Sequence, residues 1–171
     1  MAKNLIIYYS RRGENYFNGA IKSLEQGNTE ICVKYIQQAV GGDVFQVETV
    51  KTYPAYYMAC LGEALAEQRS NTRPELKNYL SDIGDYDNVF ICGPCWWGTF
   101  PMAIFTQLEK LDWKGKKVMV LMTHEGSGLG NCEKDLKKVC AGSRFGKSLA
   151  VFGTQAADSE KEVADWARSQ I

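Results

Sequence analysis

Short apolar runs alternate with amphipathic stretches along the whole chain, and this alternation constrains the fold more than any other feature. It is the pattern of βαβ units around a parallel sheet. Five runs qualify as strands: Asn4 to Tyr9, Asp43 to Thr49, Asn88 to Cys92, Lys117 to Met122 and Ser148 to Phe152. The second alternates Val44, Gln46 and Glu48 with Phe45, Val47 and Thr49, as a half-exposed edge strand does. The last three are nearly continuous apolar cores, as expected of strands covered by helices on both faces. Between them the periodicity predicts five helices. The first has Thr29 as its cap, an apolar stripe of Cys32, Val33, Ile36, Ala39 and Val40, and a stop at Gly41-Gly42. The others run from about Tyr57 to Arg69, Pro101 to Lys110, Cys132 to Cys140, and Ser159 to the end. In the last, Ser159 and Glu162 have capping-box spacing. Two stretches, Arg11 to Asn28 and Lys51 to Tyr86, are longer than a compact unit requires and are either functional excursions or decoration.

Residues 1–171 read as a single α/β domain, because a chain of this length that is 45% hydrophobic buries about 70% of its unfolded surface in one core. Its 20 basic and 20 acidic residues cancel, so no field steers it onto nucleic acid or an anionic membrane. The apolar run Leu5 to Tyr9 is too brief for a signal sequence or a membrane span, and the expected location is cytoplasmic. Six cysteines, mostly in apolar or helical segments, read as reduced, buried thiols. With one histidine and one close cysteine pair, a metal site is not expected.

The carboxyl ends of parallel strands lie on one edge of the sheet, where such folds bind ligands. Three loops converge there. The first begins at Ser10-Arg11-Arg12-Gly13-Glu14-Asn15 and returns at Gly27-Asn28-Thr29, where a helix N-terminus offers N–H groups to a phosphate. Ser10, Asn28 and Thr29 are its natural donors. Arg11 and Arg12 add charge-assisted bonds or remain solvated. The second loop, Pro94-Cys95-Trp96-Trp97-Gly98, presents two adjacent indoles in a tight turn, a surface for a planar aromatic cofactor. The third, Thr123-His124-Glu125-Gly126-Ser127-Gly128-Leu129-Gly130, has three glycines within five residues, which lets backbone groups approach a ligand edge.

In order and spacing these three segments resemble the FMN-binding loops of flavodoxin-like proteins, and the resemblance covers nearly the whole chain. It implies a doubly wound five-stranded parallel sheet of order 2-1-3-4-5 with helices on both faces, and FMN at the switch point. Ser10, Arg11, Asn15, Asn28 and Thr29 would then serve the phosphate end. Pro94, Cys95, Trp96, Trp97 and Gly98, with Thr123, His124, Glu125, Gly126, Ser127 and Gly128, would hold the isoalloxazine. In flavodoxins the hydroxyl residue runs into Gly-Asn-Thr without interruption, whereas here Arg11 to Gln26 intervene. Single-electron flavodoxins are also strongly acidic, and this neutral chain looks closer to the longer flavodoxin-like NAD(P)H or quinone reductases. The implied partners are NAD(P)H or a redox protein as donor and a small-molecule acceptor such as a quinone, with a homodimer left open. The alternative is an electron shuttle without a substrate of its own.

Two further motifs point elsewhere. Cys92-Gly93-Pro94-Cys95 spells the thioredoxin motif, but Cys92 ends an apolar strand and no helix follows Cys95 directly, as an activated thiol requires. Gly142 to Ser148 mimics a P-loop, but it is one residue short and runs from helix to strand rather than strand to helix. His124 either faces the flavin, holding a proton or hydrogen bond near neutral pH and raising the two-electron potential, or is a solvated loop residue paired with Glu125.

Overall fold

The apolar runs become one parallel sheet in the computed structural model, which describes residues 1–171. In chain order the elements are β1 (Asn4–Tyr8), β2 (Gly13–Phe17), β3 (Ala20–Leu24), α1 (Asn28–Val40), β4 (Asp43–Gln46), α2 (Tyr57–Arg69) and β5 (Asn88–Pro94). They continue with α3 (Met102–Leu108), β6 (Lys117–His124), α4 (Cys132–Val139), β7 (Arg144–Phe145), β8 (Leu149–Phe152), a 3-10 helix (Gly153–Asp158) and α5 (Glu160–Gln170). The sheet order is β4-β1-β5-β6, with β7 and β8 both paired to the outer edge of β6 and every pair parallel. This is the expected 2-1-3-4-5 arrangement with its fifth strand split in two. At the break, Lys147 N–H donates to Gln170 Oε1 (2.8 Å) and its carbonyl accepts from Trp166 Nε1 (2.7 Å), so α5 satisfies backbone that the sheet leaves unpaired.

Alternation along the central strands divides the interior between the two faces. Ile6, Phe90, Cys92, Met119 and Leu121 point toward α1 and α5, where Cys32, Val33, Ile36, Val163 and Trp166 meet them. Leu5, Ile7, Val89, Ile91, Val118 and Val120 point the other way, onto Ile104, Leu108 and Leu136 of α3 and α4. Both faces are apolar, which is why these strands read as unbroken hydrophobic runs. No helix is long and apolar enough to cross a membrane.

Several local expectations are corrected. Gly27, not Thr29, is the cap of α1. The Thr29 hydroxyl is instead buried against Thr123 Oγ1 at 2.7 Å. The role of the cap side chain falls to Ser10, whose Oγ accepts from Glu30 N–H at 3.1 Å across the loop. The capping box at Ser159 does not form: the 3-10 helix runs straight into α5, and Ser159 Oγ donates back to Ala156 O at 2.7 Å. β4 ends at Gln46, short of Thr49, which forms an isolated bridge with Leu76.

Arg11 to Asn28 is not an unstructured excursion. Most of it is the antiparallel hairpin β2–β3, turned at Asn18-Gly19 with φ of 52° and 82°. Both values are positive, as a tight two-residue hairpin turn requires. The hairpin is tied down at several points. Arg11 donates to the Glu14, Pro54 and Ala55 carbonyls (2.9, 2.9 and 3.1 Å). Glu14 Oε2 accepts from Tyr57 N–H at 2.7 Å, placing a carboxylate at the N-terminus of α2. At the tip, Asn18 N–H donates to Thr154 Oγ1 at 3.2 Å.

Candidate functional site

The three loops meet as the strand topology dictates. Pro94 of β5 lies beside Thr123 of β6, and Cys95 N–H continues the ladder to Thr123 O at 2.9 Å. Between these loops, the hairpin and α2 lies a solvent-open cleft. Of the residues expected at the site, Arg11, Asn15, Asn28, Pro94, Cys95, Trp96, Trp97, Thr123, His124 and Glu125 line it. Tyr16, Tyr57, Cys60, Leu61, Ala64 and Gly153 complete the lining.

At one end is the start of α1. The N–H groups of Asn28 and Thr29 have no acceptor within the protein, and the Asn28 side chain lines the cleft. A β-carbon at Gly27 would collide with Ser10 Oγ, and one at Gly153 would collide with Asn28 Nδ2 and stand 2.8 Å from Glu125 Oε1. Glycine at 27 lets the Ser10-Arg11 segment pack against the start of α1, and glycine at 153 leaves the Asn28 side chain its place in the cleft wall. Thr29 itself offers only its backbone N–H, since its hydroxyl is bonded to Thr123 and the residue is 1% exposed. Of the two arginines, Arg12 is committed to a carboxylate, whereas Arg11 lines the cleft with two of its three nitrogens held by carbonyls. Arg11 is held by the three carbonyls named above, and Arg12 pairs through Nε and Nη2 with both Glu30 oxygens (3.0 and 2.6 Å). Arg12 pulls the Glu30 carboxyl below its ordinary value.

The two tryptophans have different settings. Trp96 is half-buried, with its ring edge-to-face against Tyr9 and Tyr53 at centroid distances of 5.1 and 5.0 Å. Trp97 is exposed and left-handed at φ 56°, a conformation that costs a bulky residue about 1–3 kcal/mol. α2 holds it there. Trp97 Nε1 donates to Leu61 O at 3.0 Å, and its carbonyl accepts from Gln68 Nε2 at 2.9 Å. Gly98 does not line the cleft; its carbonyl accepts from Asn131 N–H at 2.6 Å and fastens the second loop to the third.

In the third loop the ligand-facing part is short. His124 is buried, its ring tilted against Phe152 at 4.4 Å, and its Nδ1 accepts from Gly126 N–H at 2.9 Å. That bond leaves the proton of the neutral ring on Nε2. Burial lowers the imidazole pKa, so of the two roles expected from sequence the ring is suited to donating a hydrogen bond rather than to holding a charge. It does not pair with Glu125. Glu125 lines the cleft and accepts from Thr154 Oγ1, which lies 3.0 and 2.9 Å from its two oxygens. Gly126 and Ser127 are exposed, and with Gly128 they lie outside the cleft lining.

The dithiol arrangement is absent. Cys92 is wholly buried in β5, where desolvation pushes its thiol far above the ordinary range, and Cys95 lies well before α3. All six cysteines are free.

The sequence model of the family described as flavodoxin matches residues 22–170, nearly the whole chain. The chain belongs to the flavodoxin family. No curated protein resembles it closely enough to count as a match. Among solved structures, candidate flavoproteins from Bacteroides uniformis and Bacteroides eggerthii share this flavodoxin fold at TM-scores of 0.76 and 0.76, with 27% and 26% identity. The alignments cover 98% and 99% of this chain and 98% of each of theirs. A flavoprotein from Lactobacillus acidophilus, solved in complex with FMN, has a TM-score of 0.64 at 21% identity over 98% of this chain and 99% of its own. The flavodoxin topology thus accounts for where the cleft lies, outside the carboxyl ends of β1, β5 and β6.

Six lining residues were not among those expected. Tyr57, Cys60, Leu61 and Ala64 come from α2, which the sequence shows only as a helix, without the face it turns to the cleft. Tyr16 arrives on the hairpin, and its ring stacks on Tyr57 at 6.4 Å and 27°. Gly153 follows β8, and its place beside Asn28 is a consequence of tertiary packing alone.

Proposed function

We propose that the cleft binds FMN noncovalently and that the protein uses it as an oxidoreductase, passing electrons from NAD(P)H or a redox protein to a small planar acceptor such as a quinone. One observation carries this reading: unpaired helix N–H groups and aromatic walls lie at two ends of a single cleft in a flavodoxin-family chain. The FMN complex of the Lactobacillus acidophilus flavoprotein supports it.

The residues present fit the group. Asn28 and Thr29 N–H, with the Asn28 amide, would hold the phosphate, whose charge the α1 dipole favours. Trp96, Trp97 and Tyr57 would wall the ring system, and Pro94, Cys95, Thr123 and His124 would flank it. Bound FMN supplies a carrier for one or two electrons, while the protein supplies position and electrostatics. His124 Nε2–H is a neutral hydrogen-bond donor at the cleft wall. Trp97, fixed by Leu61 O and Gln68, keeps an apolar face at the rim. Six unpaired thiols suit a reducing, cytoplasmic setting.

The experiment is anaerobic NAD(P)H oxidation by the FMN-loaded protein, with and without a quinone, followed by absorbance. Quinone-dependent turnover is expected. Flavin that binds but is never turned over by NAD(P)H with any quinone would leave an electron shuttle instead.

A further inference from the structure

Tyr9 and Tyr53 are both buried and both meet Trp96 edge-on at nearly equal distances, 5.1 and 5.0 Å between centroids. Their hydroxyls differ. Tyr53 donates to Glu67 Oε2 at 2.6 Å, whereas the Tyr9 hydroxyl has no acceptor in the protein. Glu67 also lines a separate surface groove with Lys51, Glu63, Ser70 and Thr72. Since Trp96 lines the cleft, Trp96, Tyr53 and Glu67 form a continuous path from the cleft to that groove.

Indole and phenol are the side chains that give up single electrons most readily, and a phenol does so in a protein interior only if its proton can leave at the same time. Tyr53 has a carboxylate at hydrogen-bond distance for that purpose, whereas the Tyr9 hydroxyl, unbonded within the protein, has only the solvent of the groove that Tyr9 lines. In the resting protein the proton stays on Tyr53, because burial and the adjacent Glu67 both raise the phenol, and burial also raises the Glu67 carboxyl.

We propose that Trp96, Tyr53 and Glu67 form a relay that carries a one-electron oxidising equivalent out of the cleft and parks it on Tyr53. The proposal rests on the reading of the cleft as a flavin site. The oxidant is photoexcited oxidised flavin, which takes one electron from the Trp96 indole. Trp96 is refilled by an electron from Tyr53, whose O–H bond breaks as the proton passes to Glu67. The products are one electron on the flavin, a neutral tyrosyl at Tyr53 and a protonated Glu67. Return of the electron to Tyr53 and of the proton from Glu67 restores the starting state. Such a relay keeps the indole beside the flavin from lasting oxidation.

The test is transient absorption after a laser flash on the FMN-loaded chain, with bound flavin quantified beforehand by its visible absorbance. Tryptophanyl absorbance is expected to decay as tyrosyl absorbance grows. Tyr53→Phe should lose the tyrosyl growth, Tyr9→Phe should keep it, and Glu67→Gln should slow it by about tenfold or more. The wild type should also slow in heavy water, a readout that needs no variant to fold. A second arm uses the flavin-free chain with a ruthenium polypyridyl photo-oxidant, so that failure to bind FMN counts against the flavin reading and leaves the relay testable. Tyrosyl growth that survives Tyr53→Phe in both arms, or wild-type kinetics in Glu67→Gln with no isotope effect, overturns the relay.

Discussion

Adjacent residues at the start of α1 should separate ligand binding from stability. Asn28 lines the cleft and its side chain makes no hydrogen bond within the protein, whereas the Thr29 hydroxyl is buried 2.7 Å from Thr123 Oγ1. Asn28→Ala therefore removes only what a ligand would use. A side-chain hydrogen bond to a charged group contributes about 1.5–3 kcal/mol, which corresponds to FMN binding weaker by about 10- to 150-fold. Stability of the flavin-free protein should move by no more than ~0.5 kcal/mol, the scale of an exposed substitution. Thr29→Ala should do the reverse. It strands a buried Thr123 hydroxyl, at a cost of about 1–3 kcal/mol in the flavin-free chain, and leaves the backbone N–H in place for the phosphate. Urea unfolding without flavin and fluorescence titration with FMN give the two quantities. The reasoning is refuted if Asn28→Ala binds FMN like the wild type, or if Thr29→Ala weakens FMN at unchanged stability.

Three further outcomes follow from the same geometry. Cys92→Ser puts a hydroxyl into a fully buried strand site and should cost about 1–3 kcal/mol, while Cys92→Ser with Cys95→Ser retains flavin-dependent electron transfer; complete loss of transfer with FMN still bound would revive a dithiol mechanism. His124, lowered by burial, is neutral in the folded protein when the unfolded chain already protonates, so its contribution to stability is present above histidine's ordinary value near 6.5 and is lost as pH falls through the lower folded value. His124→Asn should flatten that acid-side decline in urea unfolding, and an unchanged profile contradicts it. Thr154→Val removes both the donor to Glu125 and the acceptor for Asn18, so amides of β2 and β3 should exchange with deuterium faster than in the wild type.

Hydrophobic periodicity located the strands, the resemblance supplied their order, and the glycines, proline, indoles and histidine at two strand ends marked the second and third loops, because these depend on local pattern and on the rule that parallel strands end on one edge. What it mislaid was mostly long-range. Ser10 rather than Thr29 closes the first turn of α1 because a side chain twenty residues away in sequence folds onto it. The pairing of Arg12 with Glu30 was equally invisible in an arginine doublet. One omission was legible: Asn18-Gly19 between β-prone flanks is a strong hairpin signal, and it defines the element that carries Tyr16 to the cleft.

The central claim is that this cleft takes FMN by its phosphate as well as its ring. The most direct measurement is calorimetric titration of the flavin-free chain with FMN and, separately, with riboflavin, which lacks the phosphate. FMN should bind at one equivalent and riboflavin far more weakly, with the gap narrowing in Asn28→Ala. Equal affinities for the two flavins, or no binding of either, would contradict the account.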